Sequence, residues 1–153
     1  MAGLQRAAAG PKITDMEERS GRDSLRILPS ALLAALDWAQ ACLPDEACGL
    51  LAGRQGRIER FLPVGNKDPS PDRFSTEPAS LTRAHRAIRE SGLEWRGVFH
   101  SHPRAEAFPS EADARGLALA PDMCLIASIL PGRGPECRAF RRMQDRFEEI
   151  PVE

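Results

Sequence analysis

Residues 94–103 read Glu94-Trp95-Arg96-Gly97-Val98-Phe99-His100-Ser101-His102-Pro103. The stretch from Glu94 to His100 is strand-like in composition, and Ser91-Gly92 ahead of it is a stop for the preceding helix. A strand points residues i and i+2 to the same face, so His100 and His102 can both reach one ion near the strand's end. That geometry suits zinc. It makes this segment the strand around which a site would be built.

The pattern upstream alternates helix and strand. Leu25 to Leu28 is a short apolar strand, and Pro29-Ser30 opens a helix whose Leu32, Leu33, Leu36, Ala39 and Cys42 recur at helical spacing until Pro44 ends it. Ala47 to Ala52 and Arg57 to Val64 read as two strands of a hairpin around Gly53-Arg54-Gln55-Gly56. From Gly65 to Pro78, Asn66, Asp68 and repeated proline argue for a loop beside which a substrate could pass. Ser80 to Glu90 has helical spacing at Leu81, His85 and Ile88.

Downstream, Ser110 begins a helix running to about Ala120. Met123 to Leu130 and Glu136 to Arg142 then form strands around Pro131-Gly132-Arg133-Gly134. The pattern predicts a mixed α/β sheet flanked by helices. Residues 1–23, rich in Ala, Gly and charge without apolar period, read as a flexible N-terminal arm, and 24–153 as one domain.

Composition narrows the function. A chain of 153 residues can bury a real core. Lys plus Arg total 21 against 22 Asp plus Glu, a formal net charge of -1, so nucleic acid is not an expected partner. Apolar runs are broken by Asp37, Pro44, Pro121 and Pro131, well short of the roughly 20 residues that cross a bilayer, so no membrane is expected. The N-terminus lacks an apolar signal core, and a cytoplasmic location is expected. Cys42, Cys48, Cys124 and Cys137 show no CxxC spacing, which favours reduced thiols over disulfides or thiolate-held zinc. Nothing in the sequence sets an oligomeric state.

Eleven residues after His102 comes Asp113, a third ligand type that, with two histidines, leaves a coordination position open for water and so implies a catalytic metal. Ser110 follows Pro109 and precedes Asp113 by three, the spacing of an N-cap and its N3 carboxylate. As an isolated pair they would be read as a helix cap; the upstream histidines change that. Hydrolysis also needs a carboxylate to move protons. Glu46, in Pro44-Asp45-Glu46-Ala47-Cys48-Gly49-Leu50-Leu51, sits where a helix meets a buried strand, although spacing alone does not single it out.

Other residues carry weaker signals. Cys48 beside the candidate base is either a redox-sensitive thiol or, as is commoner, a small buried residue. His85 reads as a helix-face residue, Trp38 and Trp95 as core. Arg133, Arg138, Arg141 and Arg142 form a basic cluster, a solvated strand face or a contact for an acidic partner.

Glu46 ahead of Cys48-Gly49-Leu50-Leu51, with His100-Ser101-His102-Pro103 and Pro109-Ser110-Glu111-Ala112-Asp113, closely resembles the JAMM/MPN metalloproteases over roughly residues 25 to 142. The resemblance implies a single MPN (cytidine-deaminase-like) domain, α/β, with a mainly antiparallel mixed sheet flanked by helices. It implies Zn2+ bound by His100, His102 and Asp113, Glu46 as general acid/base, and Ser110 stabilising the tetrahedral intermediate. The Glu-x-Cys-Gly-Leu-Leu motif most resembles small prokaryotic members that act on ubiquitin-like sulfur-carrier proteins at their Gly-Gly carboxyl end. Whether a peptide or an isopeptide bond is cut stays open. So do two rivals, a non-catalytic MPN scaffold that binds a partner and a zinc hydrolase of small amides. On the first reading, a Gly-Gly tail would enter as an extended strand along the loop containing Asn66 and Arg73.

Overall fold

The computed structural model describes residues 24–144 and 146–153. The expected N-terminal arm, 1–23, lies outside the described residues. In chain order the elements are β1 (Arg26–Ile27), α1 (Pro29–Cys42), β2 (Cys48–Arg54), β3 (Arg57–Val64), α2 (Pro78–Glu90), β4 (Glu94–His102), α3 (Glu111–Gly116), β5 (Met123–Ser128), β6 (Glu136–Arg142) and β7 (Phe147–Ile150). They build one seven-stranded sheet in the order β1-β3-β2-β4-β5-β6-β7. It is mixed and mainly antiparallel: β1 with β3 and β4 with β5 are the parallel pairs. The sheet curls until its ends meet. Past β7, the chain bonds back to β1, with Leu25 N–H on the Pro151 carbonyl at 2.8 Å and Ile27 N–H on the Glu153 carbonyl at 2.7 Å.

Helix α1 fills the inside of the curl. Its Ala31, Ala35 and Ala39, four residues apart, are all buried, and their small side chains let the helix axis lie close to the sheet. Leu51, Ile58, Phe61, Phe99, Leu125 and Ala127 meet it from the strands. Phe61 and Phe99 pack edge-to-face with centroids 5.4 Å apart, an arrangement worth about 0.5–1.5 kcal/mol beyond area burial. Pro44 stops the helix as expected: Leu43, the residue before it, has left helical space at φ -50, ψ 139. The indole N–H of Trp38 donates to the Cys48 carbonyl at 3.1 Å and ties α1 to β2.

The other face of the sheet carries two further clusters. Cys48, Leu50, Leu62 and Val64 pack with Ala84, Ile88 and Leu93 at α2. Val98, Cys124, Ile126 and Phe140 pack with Ala107 and Leu117 at α3. Strand β4 is thus paired on both edges and covered on both faces, and Gly97 to His102 are all buried. A side chain on this strand has little freedom to move.

The largest departures from the sequence expectation are at three boundaries and in one added strand. Strand β2 runs on to Arg54, so the turn narrows to Gln55-Gly56, both at positive φ (51° and 71°), a shape that matches the twist of a two-residue hairpin. Strand β4 extends to His102, so both histidines sit on it. Helix α3 ends at Gly116, a poor helix former, and the chain continues in short turns in which Ala120 N–H bonds Leu117 at 3.0 Å. Strand β7, Phe-Glu-Glu-Ile, has no apolar alternation and owes its form to pairing with β6. Among the described residues, no helix is long and apolar enough to cross a membrane, and the four cysteines are free thiols.

Candidate metal centre

The parallel pairing of β4 with β5 requires a crossover, because the chain must return to the starting edge before it can run the same way again. That crossover contains α3. It carries the helix start back over the end of β4, where ligands gather in sheets of this kind. Ser110, the N-cap, accepts the Asp113 N–H on its Oγ at 3.1 Å, and Asp113 Oδ2 accepts the Ser110 N–H at 2.7 Å. This capping box fixes the Asp113 carboxylate towards the histidines.

The ligating atoms of His100, His102 and Asp113 all lie within 4.8 Å of one another, and all three residues are buried. Asp113 Oδ2 is 3.2 Å from His100 Nε2 and 3.5 Å from His102 Nε2. His102 Nδ1 is 2.8 Å from the Glu106 carbonyl, which can only accept, so the proton sits on Nδ1 and the Nε2 lone pair faces inward. His100 Nδ1 faces the Cys124 sulfur at 3.8 Å, and Phe74 stacks on the His100 ring at 5.0 Å. Despite the short approach of Asp113, His100 Nε2 is buried without a hydrogen-bond partner among the described residues. Buried polar atoms are seldom left so. Two imidazoles and one carboxylate converging on a point, one of them otherwise orphaned, fit a zinc ion with a fourth position open.

Glu46 lies across the gap, Oε1 4.0 Å from His102 Nε2, with Oε2 also buried and without a partner. Burial pushes its carboxyl up to about 8, His102 opposing and Asp113 and Asp72 reinforcing the rise. Burial would also raise Asp113, but His100, His102 and the Ser110 N–H outweigh it and hold the carboxyl below the usual carboxylate range. Burial holds His100 below its ordinary pKa; at His102 it is outweighed by Asp113, the Glu106 carbonyl and Glu46, and the pKa rises. The cluster can thus hold a cation on an ionised Asp113 and a neutral His100, beside a carboxyl made more basic than one in water.

All five residues singled out in the sequence meet at one place, with Ser110 exposed at its rim. The sequence reading did not find the Glu106 carbonyl, the Cys124 sulfur or Ser101. A backbone acceptor has no residue signature. Ser101 did carry one, a polar residue on the core side of a buried strand, which must find a partner. Cys48 is buried, its thiol 3.5 Å from the Val64 carbonyl and pushed up to about 12, first by burial, which favours the inert reading. His85 packs edge-on to Trp95 at 4.7 Å, as a helix-face residue would. In the basic cluster, Arg133 pairs with Glu106, Arg138 with Glu136 and Glu149, and Arg142 bonds the Ala118 and Ala120 carbonyls. A cavity of about 500 Å³ between Leu43, Pro103, Arg104 and Leu130 lies next to the site but contains none of these five residues.

Residues 28–143 match the family of prokaryotic homologs of the JAB domain, and the chain belongs to that family. It is 35% identical over 113 residues to the CysO-cysteine peptidase of Mycobacterium tuberculosis, covering 71% of this chain and 76% of that protein. It is 30% identical over 105 residues to the desampylase of Pyrococcus furiosus, covering 69% and 75%. Among solved structures, a protein from Desulfitobacterium hafniense superposes with a TM-score of 0.74 at 35% identity, over 84% of this chain and 91% of that one.

Proposed function

We propose that this JAB-family chain is a zinc-dependent peptidase that hydrolyses the bond after the Gly-Gly end of a ubiquitin-like sulfur-carrier protein, in a carrier-cysteine adduct or a lysine isopeptide. The observation that carries the reading is the convergence of His100, His102 and Asp113 on one point, with the buried carboxyl of Glu46 facing them. The substrate class is supported by relatives named as a CysO-cysteine peptidase and a desampylase.

His100, His102 and Asp113 would hold the ion. When bound, zinc supplies Lewis acidity towards a carbonyl oxygen and acidifies water. Glu46, raised by burial, takes the proton of the attacking water as oxygen adds to the scissile carbonyl. As the C–N bond breaks, Glu46 returns that proton to the amine nitrogen, leaving a free amine and a Gly carboxylic acid, whose remaining proton passes to the amine or to solvent as it ionises. The Ser110 oxygen already accepts the Asp113 N–H, so its hydroxyl hydrogen is free to donate to the oxyanion. The loop with Asn66 and Arg73 would guide the tail, with Phe74 as the wall over His100.

Zinc content and cleavage of a Gly-Gly-tailed carrier-cysteine adduct, measured together on wild type, Glu46→Gln and His102→Ala, test this. The expected result is zinc retained without activity in Glu46→Gln and zinc lost in His102→Ala. A wild type that stays inactive and metal-free after zinc addition would instead identify a non-catalytic scaffold. Cleavage of simple dipeptides in preference to the adduct would identify a small-amide hydrolase.

A further inference from the structure

Glu46 stands in a gap in the secondary structure. Helix α1 ends at Cys42 and β2 begins at Cys48, so neither a helix nor the β2 ladder supplies partners for the Glu46 peptide groups. Both partners come from the loop between β3 and α2. The Glu46 N–H donates to the Ser70 carbonyl at 2.7 Å, and the Glu46 carbonyl accepts from the Asn66 side chain, Nδ2, at 3.3 Å.

The same Asn66 side chain also closes the loop on itself. Its Oδ1 accepts the Ser75 N–H at 2.9 Å, beside a Lys67 N–H to Ser75 carbonyl bond of 2.6 Å and the Asn66–Thr76 bridge. The amide meets both needs at once: the Ser75 N–H needs an acceptor, the Glu46 carbonyl needs a donor, and Oδ1 and Nδ2 of one short side chain present both. The loop's base is fixed in turn by Glu77 N–H to the Gly65 carbonyl and Gly65 N–H to Ser80 Oγ, each 2.8 Å. Phe74, the neighbour of Ser75, stacks on His100. One loop therefore touches the backbone of the candidate base and the ring of a candidate ligand.

We infer that Asn66 is a positioning residue, which locks the backbone of Glu46 to the 65–77 loop and so sets where the Glu46 carboxyl stands relative to the metal ligands. This rests on the proposed catalytic role of Glu46. Asn66 touches neither the ligands nor Glu46's carboxyl, so its loss should act on turnover rather than on metal binding. A displacement of an ångström at a reacting group can cost on the order of a hundredfold in rate, and losing one of several anchors should cost about tenfold.

The test uses the zinc-loaded full chain. Asn66→Ala removes both bonds, while Asn66→Asp keeps an acceptor for Ser75 and removes the donor to Glu46. With a Gly-Gly-tailed carrier-cysteine adduct as substrate, both variants are expected to lower kcat about tenfold, a larger change than any in KM, with zinc content and melting temperature kept. In parallel, the backbone amide of Glu46 is expected to exchange with solvent about tenfold faster in Asn66→Ala than in wild type, because the loop that carries its Ser70 partner is released. Unchanged kcat, a rise in KM alone, or an activity loss that only tracks a lower melting temperature or lost zinc would overturn the inference. If wild type itself fails to cleave the adduct, the proposed function falls. The exchange measurement then decides alone: a wild-type rate at Glu46 in Asn66→Ala overturns the positioning role, and a faster one upholds the anchor.

Discussion

Ala47 and Ser101 are locked to each other twice: the Ala47 N–H donates to Ser101 Oγ at 2.8 Å, and the Ser101 N–H donates to the Ala47 carbonyl at 2.9 Å. Ala47 follows the candidate base and Ser101 lies between the two histidines. The pair therefore sets the spacing across the site from the opposite face of the sheet.

Ser101→Ala strands the buried Ala47 N–H. An unmet buried donor costs about 1–3 kcal/mol, so urea unfolding should show a stability loss in that range. Loss of turnover should accompany it, since Ala47 directly follows Glu46 and Ser101 lies between the two histidines on β4. A variant as stable as wild type would mean that water or a backbone shift replaces the bond.

Chelation should destabilise the zinc-loaded protein. Ligand that binds only the folded state adds stability, about 2.7 kcal/mol at a hundred times Kd. Calorimetry should show a lower Tm after EDTA, and a much smaller shift in Asp113→Asn, where the carboxylate that His100 and His102 face is lost. Equal shifts in both proteins would place the metal elsewhere.

Glu77 caps α2, with its carboxylate accepting the Ser80 and Ala79 N–H groups at 2.7 and 2.9 Å. Those bonds lower its pKa in the folded chain. A depressed folded pKa contributes stability above the unfolded value, about 4.3 for Glu, and that contribution is lost as pH falls through the folded pKa. Glu77→Gln should therefore be less stable than wild type at neutral pH, with the gap closing in acid. Urea midpoints across that range check it; a gap that widens in acid contradicts the sign.

Gly49→Ala should fail by overpacking. A Cβ there would run into the Phe61 ring and come within 2.6 Å of the Leu62 carbonyl oxygen, and a strand carbonyl cannot retreat as a flexible side chain can. A loss of about 1–3 kcal/mol or more is expected in urea unfolding. Because Gly49 adjoins Cys48, the partner of His100 in the β2–β4 register, zinc affinity should fall with it.

Where a local rule governs, the elements were legible in the sequence. Pro44 ends α1 because the residue before a proline is pushed out of helical space, and Leu43 is found there. The histidine pair was legible because two residues apart on a strand means one face. Strand β7 was not, because Phe147–Ile150 has no pattern of its own and is a strand only by its bonds to β6. The end of α3 was misjudged for a related reason: the apolar spacing continues past Gly116, while Leu117 is drawn into the cluster around Val98 and Ile126.

By itself the sequence determined which groups are available for chemistry, since His100, His102, Ser110, Asp113 and Glu46 each carry their reactive atoms in the side chain. It also determined that a capping box would aim Asp113, because that interaction spans only three residues. What the tertiary structure alone decided is how those groups are oriented. The Glu106 carbonyl fixes the tautomer of His102, and the Asn66 amide and Ser70 carbonyl hold Glu46. Of these three partners only Asn66 acts through its side chain; the other two are backbone carbonyls, which are the same in every residue. Their role comes from where the folded chain brings them, and no reading of residue types can reveal it.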